Sequence, residues 1–283
     1  MTEASMQGKV AVLTGGTSGI GQAAAETLAA QGVRIILVAR DQTRAAETMT
    51  RLQAAGPGAG HCVHIADLSS VSQIRRVGGQ IAALEPRIDL LINNAGGLFG
   101  RRMLTSEGLE MTFATNHMAP FVLTQTLRER LVATAGSRII TTSSNAYSSG
   151  KLNLEDLQAA NSYSAIRAYA TSKLCNVLFT RELARRLPGT TANCFHPGFV
   201  ASRFGSQAGG LVQAIAPLAK LFALSPQQGA DTMIYLATSP QVAATTGLYF
   251  YKRKPVKTSP VGRDDAVAAR LWTASEEIAA AIK

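Results

Sequence analysis

A glycine-rich segment, Thr14-Gly-Gly-Thr-Ser-Gly-Ile-Gly21, stands between an apolar run, Val10-Ala-Val-Leu13, and a helix-length stretch, Ile20 to Gln31. This placement constrains the chain more than any other feature. A strand that passes into a helix through glycines leaves backbone bare of side chains, so a pyrophosphate can approach it. The helix N-terminus then offers the same anion unpaired N–H groups and positive potential. Gly15, Gly19 and Gly21 follow a TGxxxGxG spacing, not strict GxGxxG. Gln22 stands where a phosphate-binding NTPase loop requires lysine. The segment is therefore a candidate dinucleotide cradle, formed by Gly15, Thr17, Ser18, Gly19, Ile20 and Gly21. Read alone, it is also compatible with a tight connection.

Further along, apolar runs alternate with helical patterns. Arg34 to Ala39, Leu90 to Asn93 and Arg138 to Thr141 read as strands buried on both faces, with weaker strands at His61 to Ile65 and Thr191 to Phe195. The spacing predicts helices at Gln42 to Ala55, Val71 to Leu84, Leu109 to Val132 and Tyr163 to Leu187. This is the signature of βαβ units in an α/β protein with a parallel sheet. The second strand ends at Arg40, where an acidic residue would accept hydrogen bonds from the ribose hydroxyls of NAD. A guanidinium suits a 2′-phosphate instead, so NADP(H) is expected over NAD(H). Asp41 reads as a cap for the next helix.

The 283 residues fit one domain, 1–283. Apolar residues at 46% and charged residues at 16% exclude a disordered chain. Leu211, Ile215, Leu218 and Phe222 recur at helical spacing within a segment of about 203–225 that reads as an apolar substrate lid. Val267, Leu271, Ala274 and Ile278 repeat the spacing in a C-terminal helix of about 264–282, with Asp264 and Asp265 as capping candidates. Cys62, Cys175 and Cys194 are too few and scattered for a disulfide framework, which points to a reducing cytoplasm. The N-terminus lacks the pattern of a signal peptide, and no run of about 18 apolar residues predicts a membrane-spanning helix. His61 and His64 point to opposite faces of a strand, so no metal site is expected. The net charge of +10 asks for an anionic partner without naming one. Basic residues are dispersed apart from Lys252-Arg-Lys254 and Lys257, and no zinc-finger or RNP-like motif occurs. Nucleic acid is not expected, and weak contact with an anionic lipid surface is the alternative to a solvated charge run.

Tyr169-Ala-Thr-Ser-Lys173 places a phenol and an ammonium on one helix face. A neighbouring ammonium favours phenolate, which would lower the tyrosine toward working pH and let it exchange a proton with a carbonyl oxygen. A tyrosine–lysine pair at this spacing is common on exposed helices, so its weight comes from company. The glycine turn, Asn93-Asn-Ala-Gly96, Ser143-Ser144, Tyr169 with Lys173, and Pro197-Gly198 occur in the order seen in short-chain dehydrogenases/reductases. The chain resembles that superfamily over nearly its whole length. Within it, the chain is similar to the retinol dehydrogenase and WW-domain oxidoreductase-like group, through Thr115-Asn-His117, Tyr169-Ala-Thr-Ser-Lys-Leu174, His196-Pro-Gly198, Gly247-Leu-Tyr-Phe250 and Leu271-Trp272.

The resemblance implies a Rossmann-type doubly wound fold, a mainly parallel seven-stranded sheet with helices on both faces. It implies that Tyr169 is the acid/base, that Ser144 hydrogen-bonds the substrate oxygen, and that Lys173 binds the nicotinamide ribose and lowers the tyrosine. Asn116 would hold a water linking Lys173 to solvent. Asn94, Ala95 and Gly96 would line the cofactor, Asp67 and Leu68 would flank adenine, and Pro197, Gly198 and Ser202 would contact nicotinamide. Relatives pair through the helices carrying Asn116 and Tyr169, which implies a homodimer. The expected activity is NADP(H)-dependent interconversion of an apolar aldehyde or ketone and its alcohol. A Ser-His-Asp hydrolase is disfavoured, because no GxSxG elbow is present. The alternative from another class is a catalytically silent NADP(H)-sensing or scaffold protein, against which the intact Ser144, Tyr169 and Lys173 argue.

Overall fold

Strand β1 (Val10–Thr14) shows how the sheet is covered. Val10 and Val12 point into one apolar layer, Ala11 and Leu13 into another on the opposite face. The same split holds in β2 (Arg34–Ala39), where Ile36 and Val38 oppose Ile35 and Leu37. Continuous apolar runs follow because both faces of a parallel sheet are dry. The computed structural model describes residues 5–200 and 224–282. Most of the expected lid at 203–225, and Ser202, lie outside the described residues.

The remaining strands are β3 (Cys62–Ile65), β4 (Leu90–Asn93), β5 (Arg138–Thr142), β6 (Thr191–His196), β7 (Tyr249–Tyr251) and β8 (Lys254–Pro255). They form one sheet in the order β3-β2-β1-β4-β5-β6-β7-β8. The direction of winding reverses between β1 and β4, so a crevice opens at the carboxyl ends of these strands. The sheet has eight strands where seven are expected. The extra one is a two-residue antiparallel edge, with Phe250 opposite Pro255 and Tyr251 opposite Lys254. Proline has no N–H to give a further strand, so it sits where pairing ends.

Helices α1 (Gly19–Ala30) and α2 (Gln42–Ala55) lie on one face. Helix α3 (Val71–Leu84) lies on the other. Asp41 caps α2 by accepting from Arg44 N–H at 3.0 Å, as its position suggests. The single helix expected over Leu109 to Val132 is interrupted. It runs as α4 (Met111–Phe113), a π-helical turn at Ala114–Met118, α5 (Ala119–Thr126) and α6 (Arg128–Ala133). Pro120 explains the π turn, because it cannot donate to the Asn116 carbonyl one turn back and its ring crowds that carbonyl.

The long α7 (Ala165–Arg186) packs beside this broken helix. Helix α8 (Pro226–Thr238), not expected from the hydrophobic pattern, opens on a capping box between Ser225 and Gln228. The C-terminal helix α9 (Asp265–Ala281) is capped by Asp264, which accepts from Ala266 and Val267 N–H. Asp265, at its first position, instead meets Arg181 of α7 at 2.5 Å.

The buried stripe of α9 is Ala268, Leu271, Trp272, Ser275 and Ala279, with Val267 and Ile278 at its margin. Trp272 packs edge-on against Phe121 of α5 and stacks on Phe179 of α7, with centroids 5.0 and 5.9 Å away. The Arg186 guanidinium covers it at 4.7 Å. At this point α9 covers the helices through which the resemblance implies pairing. Replacing Trp272 by alanine is expected to cost about 3–5 kcal/mol, by loss of burial and by the cavity left between the two phenylalanines. Urea unfolding followed by circular dichroism measures this.

Candidate active site

The crevice at the ends of β1, β4, β5 and β6 is organised first by a knot of polar groups. The Thr14 hydroxyl accepts from the N–H groups of Asn94 and Ala95 at 3.0 and 3.1 Å and donates to the Ile92 carbonyl. The Asn94 amide donates to the Thr14 and Gly15 carbonyls, and its oxygen accepts from Thr142. Asn94 therefore ties the glycine turn to β5, while Ala95 and Gly96 carry the loop onward. Asn93 is buried and donates to Thr124. Gly15 has φ +68° and lies against Ala95, where an added Cβ would sit 2.8 Å from backbone. At Gly21 a Cβ would meet the Gly15 carbonyl at 2.3 Å. Gly15 demands glycine for conformation and close approach, Gly21 for close approach alone. Ser18, at the N-cap of α1, makes no side-chain cap bond, so the first N–H groups of this helix have no side-chain cap from it.

Two guanidinium groups flank this turn. Arg40 is exposed at the end of β2. Arg44, on the first turn of α2, reaches back to the Thr17 carbonyl at 3.2 Å. Arg44 escapes a reading that stops at the end of the second strand, although one helical turn from a capping Asp41 brings a side chain back toward the strand end. Across the sheet, Leu68 is buried, and Asp67 turns one carboxylate oxygen onto Ser69 N–H and hydroxyl at 2.9 Å.

The chemistry-bearing side chains meet above β5. Lys173 is buried and donates to the Thr142 carbonyl at 3.0 Å. Its ammonium lies 5.6 Å from the centroid of the Tyr169 ring. Ser143 donates to the Lys173 carbonyl at 2.9 Å, which fixes the serine pair against α7. Ser144 caps the short 3-10 turn at Asn145–Ser149 and hydrogen-bonds to Tyr169. Burial pushes the Tyr169 phenol up to about 12, and the Ser144 contact opposes the rise without overcoming it. The expectation that Lys173 lowers this tyrosine is thus not met in the protein itself. Burial also draws the lysine down from 10.5 to about 8, which weakens it as a source of positive potential. A phenol that keeps its proton is the form able to donate to a carbonyl oxygen.

Asn116 sits within the π turn and is fully buried. It accepts from Gly97 N–H at 2.8 Å, and donates to the Gly97 carbonyl and to Ser172 at 2.9 Å each. Its side chain locks the loop after β4 to α7, and Pro120 deprives the backbone carbonyl of Asn116 of its α-helical donor. Pro197 and Gly198 follow β6. Gly198 has φ +87°, and its N–H faces His196 Nδ1 at 3.4 Å. His117 is buried and hydrogen-bonded to Ser275. Cys175 and Cys194 are buried with thiols raised to about 12, which removes them as nucleophiles. His61 commits one ring nitrogen to Ile35 N–H and the other to the Gly56 carbonyl.

The short chain dehydrogenase family model matches residues 9–209. Retinol dehydrogenase 14 of Homo sapiens is 40% identical over 98% of this chain and 88% of its own length. A Streptomyces sp. (strain C5) protein, named as the daunorubicin C-13 ketoreductase DnrU, is 40% identical over 95% of this chain and 92% of its own. Among solved structures, the Pseudomonas aeruginosa RhlG/NADP active-site complex is 31% identical, with a TM-score of 0.68 over 87% of this chain and 95% of that one. No helix among the described residues is long and apolar enough to cross a membrane.

The buried Lys173 ammonium gives a stability test. Its proton affinity is lowered on folding, so its charge opposes folding in full below pH 8. That penalty is relieved as the folded chain loses the proton between pH 8 and 10.5. Lys173→Met is expected to be about 1–3 kcal/mol more stable than the parent chain at pH 7, with the gap narrowing toward pH 10.5. Chemical denaturation across this range measures it.

Proposed function

We infer that this chain, which belongs to the short chain dehydrogenase family, is an NADP(H)-dependent oxidoreductase interconverting an apolar aldehyde or ketone with its alcohol. The observation that carries the reading is the meeting of Ser144, Tyr169 and Lys173 above β5, with a protonated phenol on a serine hydroxyl and an ammonium one helical turn further on. Relatives named for retinol dehydrogenation and for ketoreduction support an apolar carbonyl or alcohol as substrate.

The residues of the crevice fit a dinucleotide. A Cβ at Gly15 or Gly21 would strike Ala95 or the Gly15 carbonyl and break the turn that a dinucleotide needs, and the start of α1, without a side-chain cap from Ser18, leaves N–H groups for an anion. Arg40, joined by Arg44, would grip a 2′-phosphate, and the NADP-bound RhlG complex supports that choice. Gly15, Thr17, Ser18, Gly19, Ile20 and Gly21 would hold the pyrophosphate. Asp67 and Leu68 would border the adenine, and Ala95, Gly96, Pro197, Gly198 and Ser202 the nicotinamide half. Asn94 serves as the strut beneath them. When bound, the nicotinamide supplies or accepts the hydride.

The protein supplies position and a proton. Ser144 fixes the substrate oxygen and stabilises its growing negative charge, and Tyr169 donates the proton to that oxygen. The Lys173 ammonium offers hydrogen bonds to the ribose hydroxyls, and its positive charge favours the phenolate left behind. A water on the Asn116 carbonyl would return the proton from solvent. In the reverse direction Tyr169 takes the proton from an alcohol.

Two outcomes test this reading. Tyr169→Phe is expected to lower kcat for reduction of an apolar carbonyl panel by at least about a thousandfold while NADPH binding, followed by cofactor fluorescence, changes less than about threefold. A cofactor-sensing protein without chemistry would show no turnover even before the substitution. Arg40→Ala and Arg44→Ala are each expected to weaken NADPH binding by about tenfold and NADH binding by less than about twofold. Equal losses for the two cofactors in isothermal titration would sink the 2′-phosphate assignment.

A further inference from the structure

Three side chains form a rank across the carboxyl ends of β7, β6 and β5. Tyr251 and His196 are partners in the register of two parallel strands. Their rings stack, with centroids 5.1 Å apart and planes 25° from parallel. That separation is close to the spacing of neighbouring strands, so the imidazole lies on the phenol ring across the sheet. Thr142 of β5 pairs with Phe195, and Ser143 N–H donates to the Phe195 carbonyl at 2.8 Å, so Ser143 comes next to His196. Side chains alternate along a strand. Cys194 and Tyr249 belong to the apolar layer that holds Leu174 and Leu178 of α7, while Phe195 and Phe250 belong to the other. His196 and Tyr251 therefore project on the α7 side, as Ser143 does when it donates to the Lys173 carbonyl.

The rank runs large, large, small. Serine has no ring to lay on the imidazole, and among the described residues Tyr251 is the ring stacked on His196. Both rings are half-buried rather than sealed in the core. Burial lowers the proton affinity of His196 below that of a free imidazole, so at neutral pH it presents an uncharged aromatic surface. The Lys252 ammonium, 5.4 Å from the Tyr251 centroid, steadies the second ring. Ser144, which the proposed function sets on the substrate oxygen, directly follows Ser143. Two large apolar side chains are exposed on the same elements. Phe199, 62% exposed, comes directly after Gly198, and Ile166, 63% exposed, comes one turn before Tyr169 on α7.

We propose that the His196 ring, backed by Tyr251, is the wall that receives a flat conjugated part of the substrate, so that this pair sets a preference for aryl and polyene carbonyls over saturated ones. This rests on the proposed function for the place of the reacting carbonyl. A planar π system laid on an aromatic ring gains from offset stacking beyond the apolar area it buries, whereas a saturated skeleton of the same carbon count gains area alone. Strand ends hold the pair at a set distance from the serine hydroxyl, so a plane stacked there also fixes where its carbonyl falls. The Gly198 contact offers the imidazole a different employment, since Nδ1 accepts from that N–H at 3.4 Å. A ring kept for that bond alone would serve every substrate equally, through the backbone that borders the nicotinamide half. The two roles therefore part when flat and saturated substrates are compared.

The test sets 2-naphthaldehyde against its fully saturated decalin counterpart in NADPH-dependent reduction by the full chain. Calorimetry adds the binding of the two corresponding alcohols to the NADPH-loaded chain, a combination in which no hydride can pass. The intrinsic reactivity of each aldehyde cancels when a variant is compared with its parent. His196→Leu is expected to lower kcat/KM for the naphthyl aldehyde and to weaken binding of the naphthyl alcohol by about tenfold each, with the decalin compounds changed less than about twofold. His196→Phe keeps a ring but cannot accept from Gly198, and should hold the naphthyl values within about threefold of the parent. Tyr251→Leu should move the naphthyl-to-decalin ratio in the same direction by about threefold or more. Equal losses for the two skeletons in His196→Leu, or naphthyl values in His196→Phe as low as in His196→Leu, overturn the proposal. Should either His196 variant fail to fold, Tyr251→Leu decides it, and an unchanged ratio there overturns it. If the parent chain turns over neither aldehyde, the proposed function falls, and the alcohol binding ratios then uphold or overturn the aromatic wall by themselves.

Discussion

A carbonyl at the end of β5 receives a buried ammonium, and the rest of the site is arranged around that bond. An isolated charge in a dry interior is expensive, so the lysine can be kept there only if its surroundings hold it firmly. Thr142 offers the oxygen, Ser143 clasps the lysine's own backbone, and Asn176 steadies the oxygen from the next turn of α7. The price appears as a lowered proton affinity, which leaves Lys173 poised near neutral pH where a surface lysine would be inert.

The second constraint is the reversal of winding between β1 and β4. It brings the glycine turn and the loop after β4 side by side, and Thr14 and Asn94 weld them. Asn116 extends the same frame by joining Gly97 to Ser172, so that loop, π turn and α7 are held together.

Much of this was legible in the chain. Six of the eight strands and most helices announced themselves because burial on both faces forces unbroken apolar runs, and capping residues such as Asp41 mark where helices begin, whereas the short β7 and β8 were not read as strands. The reacting residues were legible through their order rather than through any one spacing. What escaped has physical causes. The π turn hides inside an apolar pattern whose period is nearly helical, and only Pro120 betrays it. Helix α8 carries little amphipathic signal, although Ser225, Pro226 and Gln228 spell its start. Tyr169 was read from its charged neighbour, whereas its proton affinity is set by desolvation, which needs the packed fold to be seen. Arg44 and Ser275 act across elements, and no local pattern advertises such contacts.

The far margin of the sheet has a consequence of its own. Strand β8 ends in Pro255 beside an exposed Lys254, after a turn in which Lys252 and Arg253 adopt left-handed conformations and Arg253 forks onto Asp231. A missing donor, a charge and a sharply twisted hairpin are the features that stop one molecule's border from templating another's. On this side, the protein carries its own guard against ribbon-like aggregation.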